Sequence, residues 1–166
     1  AGPIVLPVSK RQSGALVALH VVLVAAFALA ALLDPPGRGW AVLGCVVVYN
    51  VALPLVARTV ALPEVVALWA FLLPLSLWQV LPDWVLADLV GTLRFPDAGG
   101  PRVDDVIPVA MAGMWVAPLL VTVLVAGDSA WRAAVVAFAV FAGAELAAPL
   151  LGVWEPTSAA HQIAGV

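Results

Sequence analysis

Charge is what this chain has least of. Its 166 residues carry 7 basic and 10 acidic side chains, and they are 64% hydrophobic and 10% charged. An average soluble domain is about 45 to 50% apolar and about 25% charged. So few charges cannot coat a sphere of this size, and they cluster between long uncharged runs, which excludes a water-soluble globular domain. Cysteine is nearly absent as well. Cys45 stands alone, which excludes a disulfide framework and any cysteine-held metal cluster. No basic stripe accompanies the net charge of -3, so nucleic acid is not an expected partner. No phosphate-binding glycine loop, His-Glu-x-x-His helix, nucleophile elbow or haem-attachment pair occurs, and no metal or cofactor is expected. What remains is an all-α, polytopic transmembrane helix bundle with the lipid bilayer as its first partner.

Residues 14–33 hold no formal charge, and at about 1.5 Å rise per residue they match the hydrocarbon thickness of a bilayer. Lys10 and Arg11 before the run and Ala28-Leu29-Ala30 near its end also fit a signal peptide with a small-residue cleavage site. The run is read as an uncleaved first span. Asp34-Pro35-Pro36-Gly37 cannot continue a helix and makes a tight turn. Residues 39–57 form the second span, with Trp40 at its entrance and Arg58 closing it. A third covers about residues 63–81, started by Pro63 and kinked at Pro74. Pro82-Asp83 is expected to break the chain.

The next apolar piece, residues 84–95, reaches only about 18 Å as a helix and contains Asp88. It is either a short tilted span or a re-entrant half-helix. If it spans, Lys10, Arg11, Arg58, Arg94 and Arg102 share one side against Arg38 and Arg132. If it dips and returns, Lys10, Arg11, Arg58 and Arg132 face Arg38, Arg94 and Arg102, a weaker bias. The positive-inside rule therefore favours six segments with a cytoplasmic N-terminus. Residues 95–105 read as a polar loop leading into a helix with an acidic first turn, followed by a span over residues 106–127. Asp128-Ser129 caps a last helix over residues 130–154. The expected organisation is a cytoplasmic segment at 1–12, one membrane domain of five full spans and one short segment at 13–154, and at 155–166 a tail or the start of a further helix. Ser158 is a candidate cap for that helix, which implies a missing span.

An ionisable side chain inside hydrocarbon costs roughly 2.5 to 3.5 kcal/mol on insertion scales, so each one is a candidate for function. Glu145 is the foremost. Helical spacing places it on a face with Phe138, Phe141 and Pro149, and it is expected to point into the bundle. Its plain alternative is a protonated acid bonded to a neighbouring helix. Asp88 repeats the pattern with Trp84, Gly91 and Phe95, unless it simply reaches water. Asp104 and Asp105 are expected at a helix N-terminus, where capping accounts for one of the two. Glu64 follows Pro63 at a helix start and needs no function. His20 is expected as a neutral imidazole bonded to another helix, and Asn50 either bonds a partner helix or compensates the Pro54 kink. His161 and Glu155 are assigned to the tail. Trp40, Trp84, Trp131 and Trp154 fall at span ends, where an interfacial aromatic belt is expected. Trp69, Trp78 and Trp115 lie deeper and, with Phe138 and Phe141, are the candidate lining of an apolar pocket.

Two function classes fit. In the first, carboxyl groups of Glu145, Asp88, Asp104 or Asp105 serve as general acid and base on an apolar, lipid-soluble small molecule, with aromatic faces around a developing positive charge. Pro101-Arg102-Val103-Asp104-Asp105 resembles the Pro-x-Glu-Glu helix-start motif of the small integral-membrane isoprenoid cyclases, the lycopene-cyclase-like and meroterpenoid-cyclase proteins, with Asp in place of Glu. The resemblance covers one loop and one helix start, and it implies an isoprenoid-like substrate with Asp104 and Asp105 at the chemistry. The second class is non-enzymatic: a small transporter, a lipid-binding module, or an accessory subunit. Gly113, Gly143 and Ala144 would permit close helix approach in a homo-oligomer or with a partner subunit.

Overall fold

The computed structural model describes residues 9–157. The expected cap at Ser158, the further helix and His161 lie outside them. The chain is helical, with a few short strand pairs at one end. Four stretches are long and apolar enough to cross a membrane, namely Lys10–Ala31, Gly37–Thr59, Pro63–Leu89 and Ala130–Pro149, and Met111–Ala126 is a shorter apolar one.

Helix α1 (Lys10–Ala31) starts on a capping box, in which the Ser9 side chain accepts from the Gln12 N–H while the Gln12 side chain accepts from Ser9. Gln12 Nε2 also donates to the Val60 carbonyl at 2.9 Å, tying the start of α1 to the end of α2 (Gly37–Thr59). The two helices are joined by the expected Pro-Pro turn and pack antiparallel. Where α2 begins, Gly39 N–H donates to Ala98 O at 2.8 Å. A Cβ on Gly39 would lie 1.8 Å from Gly99 O, so only glycine permits this approach.

α3 (Pro63–Trp78) starts on Pro63 as expected. The expected break at Pro82 does not occur. α4 (Val80–Trp84) and a π-helical turn (Val85–Leu89) carry the same helical path onward. Pro82 sits in the first turn of α4, where its missing N–H costs little, and its ring disfavours only the carbonyl four residues back, Trp78, where α3 ends. Residues 84–95 therefore do not form a separate helical segment. The helical path ends at Leu89, and β1 (Leu93–Arg94) follows.

The acidic helix start is also corrected. β2 (Arg102–Val103) and β3 (Ile107–Pro108) form an antiparallel hairpin, and Asp104 and Asp105 make its turn, each with φ of 53°. Asp is among the few residues that tolerate this left-handed region. The Arg102 guanidinium locks the loop by donating to the carbonyls of Phe95, Pro96, Asp105 and Val106. The expected span over residues 106–127 shortens to α5 (Met111–Met114) and α6 (Val116–Ala126), interrupted at Trp115. Pro118 supplies the reason, because its ring disfavours the carbonyl of Met114, the last residue of α5.

α7 (Ala130–Leu151) is capped by Ser129, whose side chain accepts from Arg132 N–H, and it ends on left-handed Gly152. It packs along α6. The expected tail at 155 is instead β4 (Glu155–Pro156), paired with β1 and joined to it by the Arg94–Glu155 ion pair. The hairpin, the β1–β4 pair and the start of α2 thus share one end of the bundle. Arg94 and Arg102 lie there with Arg38, so the wider basic asymmetry expected from a spanning segment is not realised.

The buried residues fall into two clusters. One joins α1, α2, α3 and α6 through Leu16, Tyr49, Leu53, Ala57, Val65, Leu72, Val116 and Leu120. The other, at the strand end, joins Phe95, Ile107, Met111, Ala148 and Trp154. The outward faces are also apolar: Val17, Val21, Val48, Phe71 and Phe138 are all more than 60% exposed.

Candidate functional site

A cleft of about 470 Å³ opens at the strand end, between the α3–α4 path and α7, with Trp115 and Leu119 along it and Leu93, Phe95 and Trp154 at its margin. Two carboxyl groups line it, Asp83 and Glu145, together with Gln79 and the ring of Phe141.

Among the described residues Asp83 is the buried acid, 6% exposed. Its Oδ1 accepts from Gln79 Nε2 at 3.3 Å, and its Oδ2 is buried with no partner. Such an atom is costly to keep, because an unmade hydrogen bond in a dry environment forfeits the full desolvation penalty of the group. Trp115 presents the complementary case. It stacks on Phe141 with ring centroids 5.1 Å apart and leans on Trp154 at 5.8 Å. Its backbone N–H donates at 3.2 Å to the Ser76 hydroxyl of α3, which is fully buried. The helix interruption is thus spent on fixing this residue. Its indole Nε1–H is nevertheless buried without an acceptor.

Glu145 reaches the cleft from α7, where its Oε2 accepts from Trp154 Nε1 at 3.1 Å. The residue as a whole stays exposed while its carboxyl pairs with the indole. Trp154 is buried, not a belt residue, and only Trp40 and Trp131 remain exposed at helix starts as a belt requires.

Of the residues expected at a site, the structure brings together Glu145, Trp115 and Phe141. It places the others elsewhere. Asp88 is exposed on the π-helical turn, and Asp105 is exposed at the hairpin tip. Asp104 accepts from Trp84 Nε1 at 3.2 Å there, which anchors the hairpin to α4. Trp78 is 66% and Phe138 77% exposed, both outside the cleft. Trp69 instead donates to Asn50 Oδ1 at 3.3 Å. Asn50 also donates to the carbonyls of Val46 and Gly113, so it serves both its own kinked helix and a partner helix. His20 is bonded to another helix as expected: its Nδ1 lies 2.8 Å from Leu16 O and its Nε2 3.0 Å from Tyr49 OH. Gly113 meets α2 closely, its would-be Cβ 2.9 Å from Val46, whereas Gly143 has nothing within 4 Å.

Sequence reasoning missed Asp83 because Pro82 marked it as a loop residue. The signal was present in the apolar residues on both sides of it, Leu75 to Leu81 and Val85 to Leu89, which make it an acid inside one long apolar path. A second, larger groove of about 1350 Å³ lies between α1, α3 and α6, lined by apolar residues such as Leu16, Val24 and Leu68, with Glu64, Asp128 and Arg132 at one end. Among the described residues, no group of three His, Cys, Asp or Glu side chains is placed to hold a metal ion.

No curated protein and no solved structure matches the chain. Residues 80–166, which include Asp83, Trp115, Glu145 and Trp154, match the family described as a domain of unknown function, DUF6989, and the chain belongs to that family.

Proposed function

We propose that the chain is an integral, multi-pass membrane enzyme that acts on a lipid-soluble, isoprenoid-like substrate by carboxyl acid–base chemistry in the cleft. Apolar outer faces support the membrane placement, since the large hydrophobic side chains exposed on α1, α2, α3, α6 and α7 find their solvent in acyl chains. The end bearing Lys10, Arg11, Arg58 and Arg132 faces the cytoplasm, since it carries four basic side chains against Arg38, Arg94 and Arg102 at the strand end.

The observation that carries the enzymatic reading is the free Oδ2 of buried Asp83 beside an aromatic wall. With Oδ1 accepting from Gln79, Oδ2 is the oxygen that bears and delivers a proton. Protonation of a substrate double bond at one carbon leaves a cation at the other. The π electrons of a second double bond close on that cation, and the Trp115, Phe141 and Trp154 faces stabilise the charge as it moves. The Glu145 carboxylate then takes a proton from the carbon next to the final cation. One proton enters and one leaves, so the product is an isomer of the substrate and no oxidant is needed. Kinship with the isoprenoid cyclases is part of this proposal, and it rests on the cleft and not on the Asp104-Asp105 turn.

The test is incubation of the protein in lipid nanodiscs with a panel of polyprenyl compounds. Isomeric products that vanish with Asp83→Asn and Glu145→Gln support the reading. No product from any of them, together with saturable binding to the larger groove, favours the lipid-binding alternative, which the volume and apolar lining of that groove support.

A further inference from the structure

Two residues that line the cleft each carry a buried polar atom without a partner, and the two atoms are chemically complementary. Asp83 Oδ2 can give or take a hydrogen bond, whereas Trp115 Nε1–H can only give one. Elsewhere in the helical core such groups are paired: His20 with Tyr49, Asn50 with Trp69 and Gly113, and Thr122 with the Pro118 carbonyl. The exceptions belong to two residues of the cleft that Asp83 and Glu145 line. Nor are they accidents of a loose side chain. Trp115 is fixed on three sides, by Phe141, by Trp154 and by its backbone bond to Ser76, and Asp83 is held through Gln79.

We infer that the ligand of this cleft bears an oxygen atom with a free lone pair, held by the Trp115 indole N–H and Asp83, on an otherwise apolar skeleton. A hydrocarbon would leave the indole N–H unpaired in a dry site. A ketone, ether or alcohol oxygen has two lone pairs and can accept from both the indole and a protonated Asp83, and an alcohol can also donate to the carboxyl. The rest of the lining, including Leu75, Phe95, Leu119 and Phe141, asks only for apolar bulk. Both atoms are buried at the wall of the cleft that their residues line, and the terminal torsion of Asp83 is a soft one. Trp115 is thereby a specificity-determining residue, separate from its ring-face role. This inference rests on the cleft being a ligand site, as proposed above, but it does not require turnover.

The test is therefore a binding measurement on the full chain in nanodiscs. The probes are farnesylacetone and the hydrocarbon in which its carbonyl is replaced by a methylene, compared at equal mole fraction in the bilayer, with the thermal-unfolding shift as readout. Half-saturation about tenfold lower for the ketone is expected, the size of one well-made hydrogen bond to an otherwise unpaired buried donor. Trp115→Phe keeps a six-membered ring against Phe141 and should erase the difference between the two probes. Equal binding of the two probes by the unaltered protein overturns the inference, and that arm does not depend on any variant folding. A preference that survives in Trp115→Phe overturns the assignment to the indole. Ketone preference without product formation would sink the enzymatic reading alone, while turnover without ketone preference would sink this inference alone.

Discussion

The two ends of the bundle are built under different rules. At the end where α1 starts and α2 finishes, helices are long and regular, the core of Leu16, Leu53, Ala57 and Leu120 is closed, and the nearby polar side chains of His20 and Tyr49 satisfy one another. At the strand end the α3–α4 path passes through a π-helical turn, α5 and α6 are interrupted at Trp115, and two buried polar atoms have no partner. π-Helical turns and unpaired buried groups both cost stability, and both are typical of places held for function. The difference separates the part of the sequence that secures the fold from the part held ready for a ligand.

That contrast can be broken by substitutions at each end. The largest effect is expected for Asp83→Asn, which keeps an acceptor for Gln79 but removes the transferable proton: turnover of a responsive polyprenyl substrate should fall about 10² to 10⁴-fold, with the thermal midpoint nearly unchanged. Loss of folding instead would make Asp83 a structural residue. Next comes Leu53→Ala in the closed core, where about 2 to 5 kcal/mol of stability should disappear in a denaturation experiment while activity per folded molecule persists. A smaller loss, about 1 to 3 kcal/mol, is expected for Tyr49→Phe, since it strands the Nε2 of His20. Catalysis that follows Tyr49→Phe down would erase the distinction between the two ends. Least affected should be Asp88→Asn and Asp104→Asn, both exposed, with activity within about twofold of the unaltered protein.

The sequence announced the helices well where uncharged runs were bounded by unambiguous punctuation, as at Asp34-Pro35-Pro36-Gly37 and Ser129. It misled where one residue type serves two geometries. Pro82 reads equally as a helix break and as a first-turn residue, and only packing chose the second, with the consequence that Asp83 was hidden. Asp104 and Asp105 suit a helix N-terminus by charge, yet adjacent left-handed residues closing a hairpin leave no compositional mark. Glu145 and Phe141 were legible as neighbours because their spacing along one helix is a local property, and Trp115 drew notice by its depth in an apolar run. That Asp83 and Trp115 line one cleft was not legible, since it depends on how two proline-adjusted helical paths pack, with Trp115 bonded to Ser76.

The central claim is that the unpaired atoms at the strand end are kept for function at the expense of stability. Asp83→Leu tests it directly, with turnover and thermal midpoint measured on the same nanodisc preparation. Replacing a buried carboxyl that has one unpaired oxygen by an apolar side chain of the same branched shape should hold or raise the midpoint while product formation ceases. A midpoint that falls while product formation continues would contradict the account.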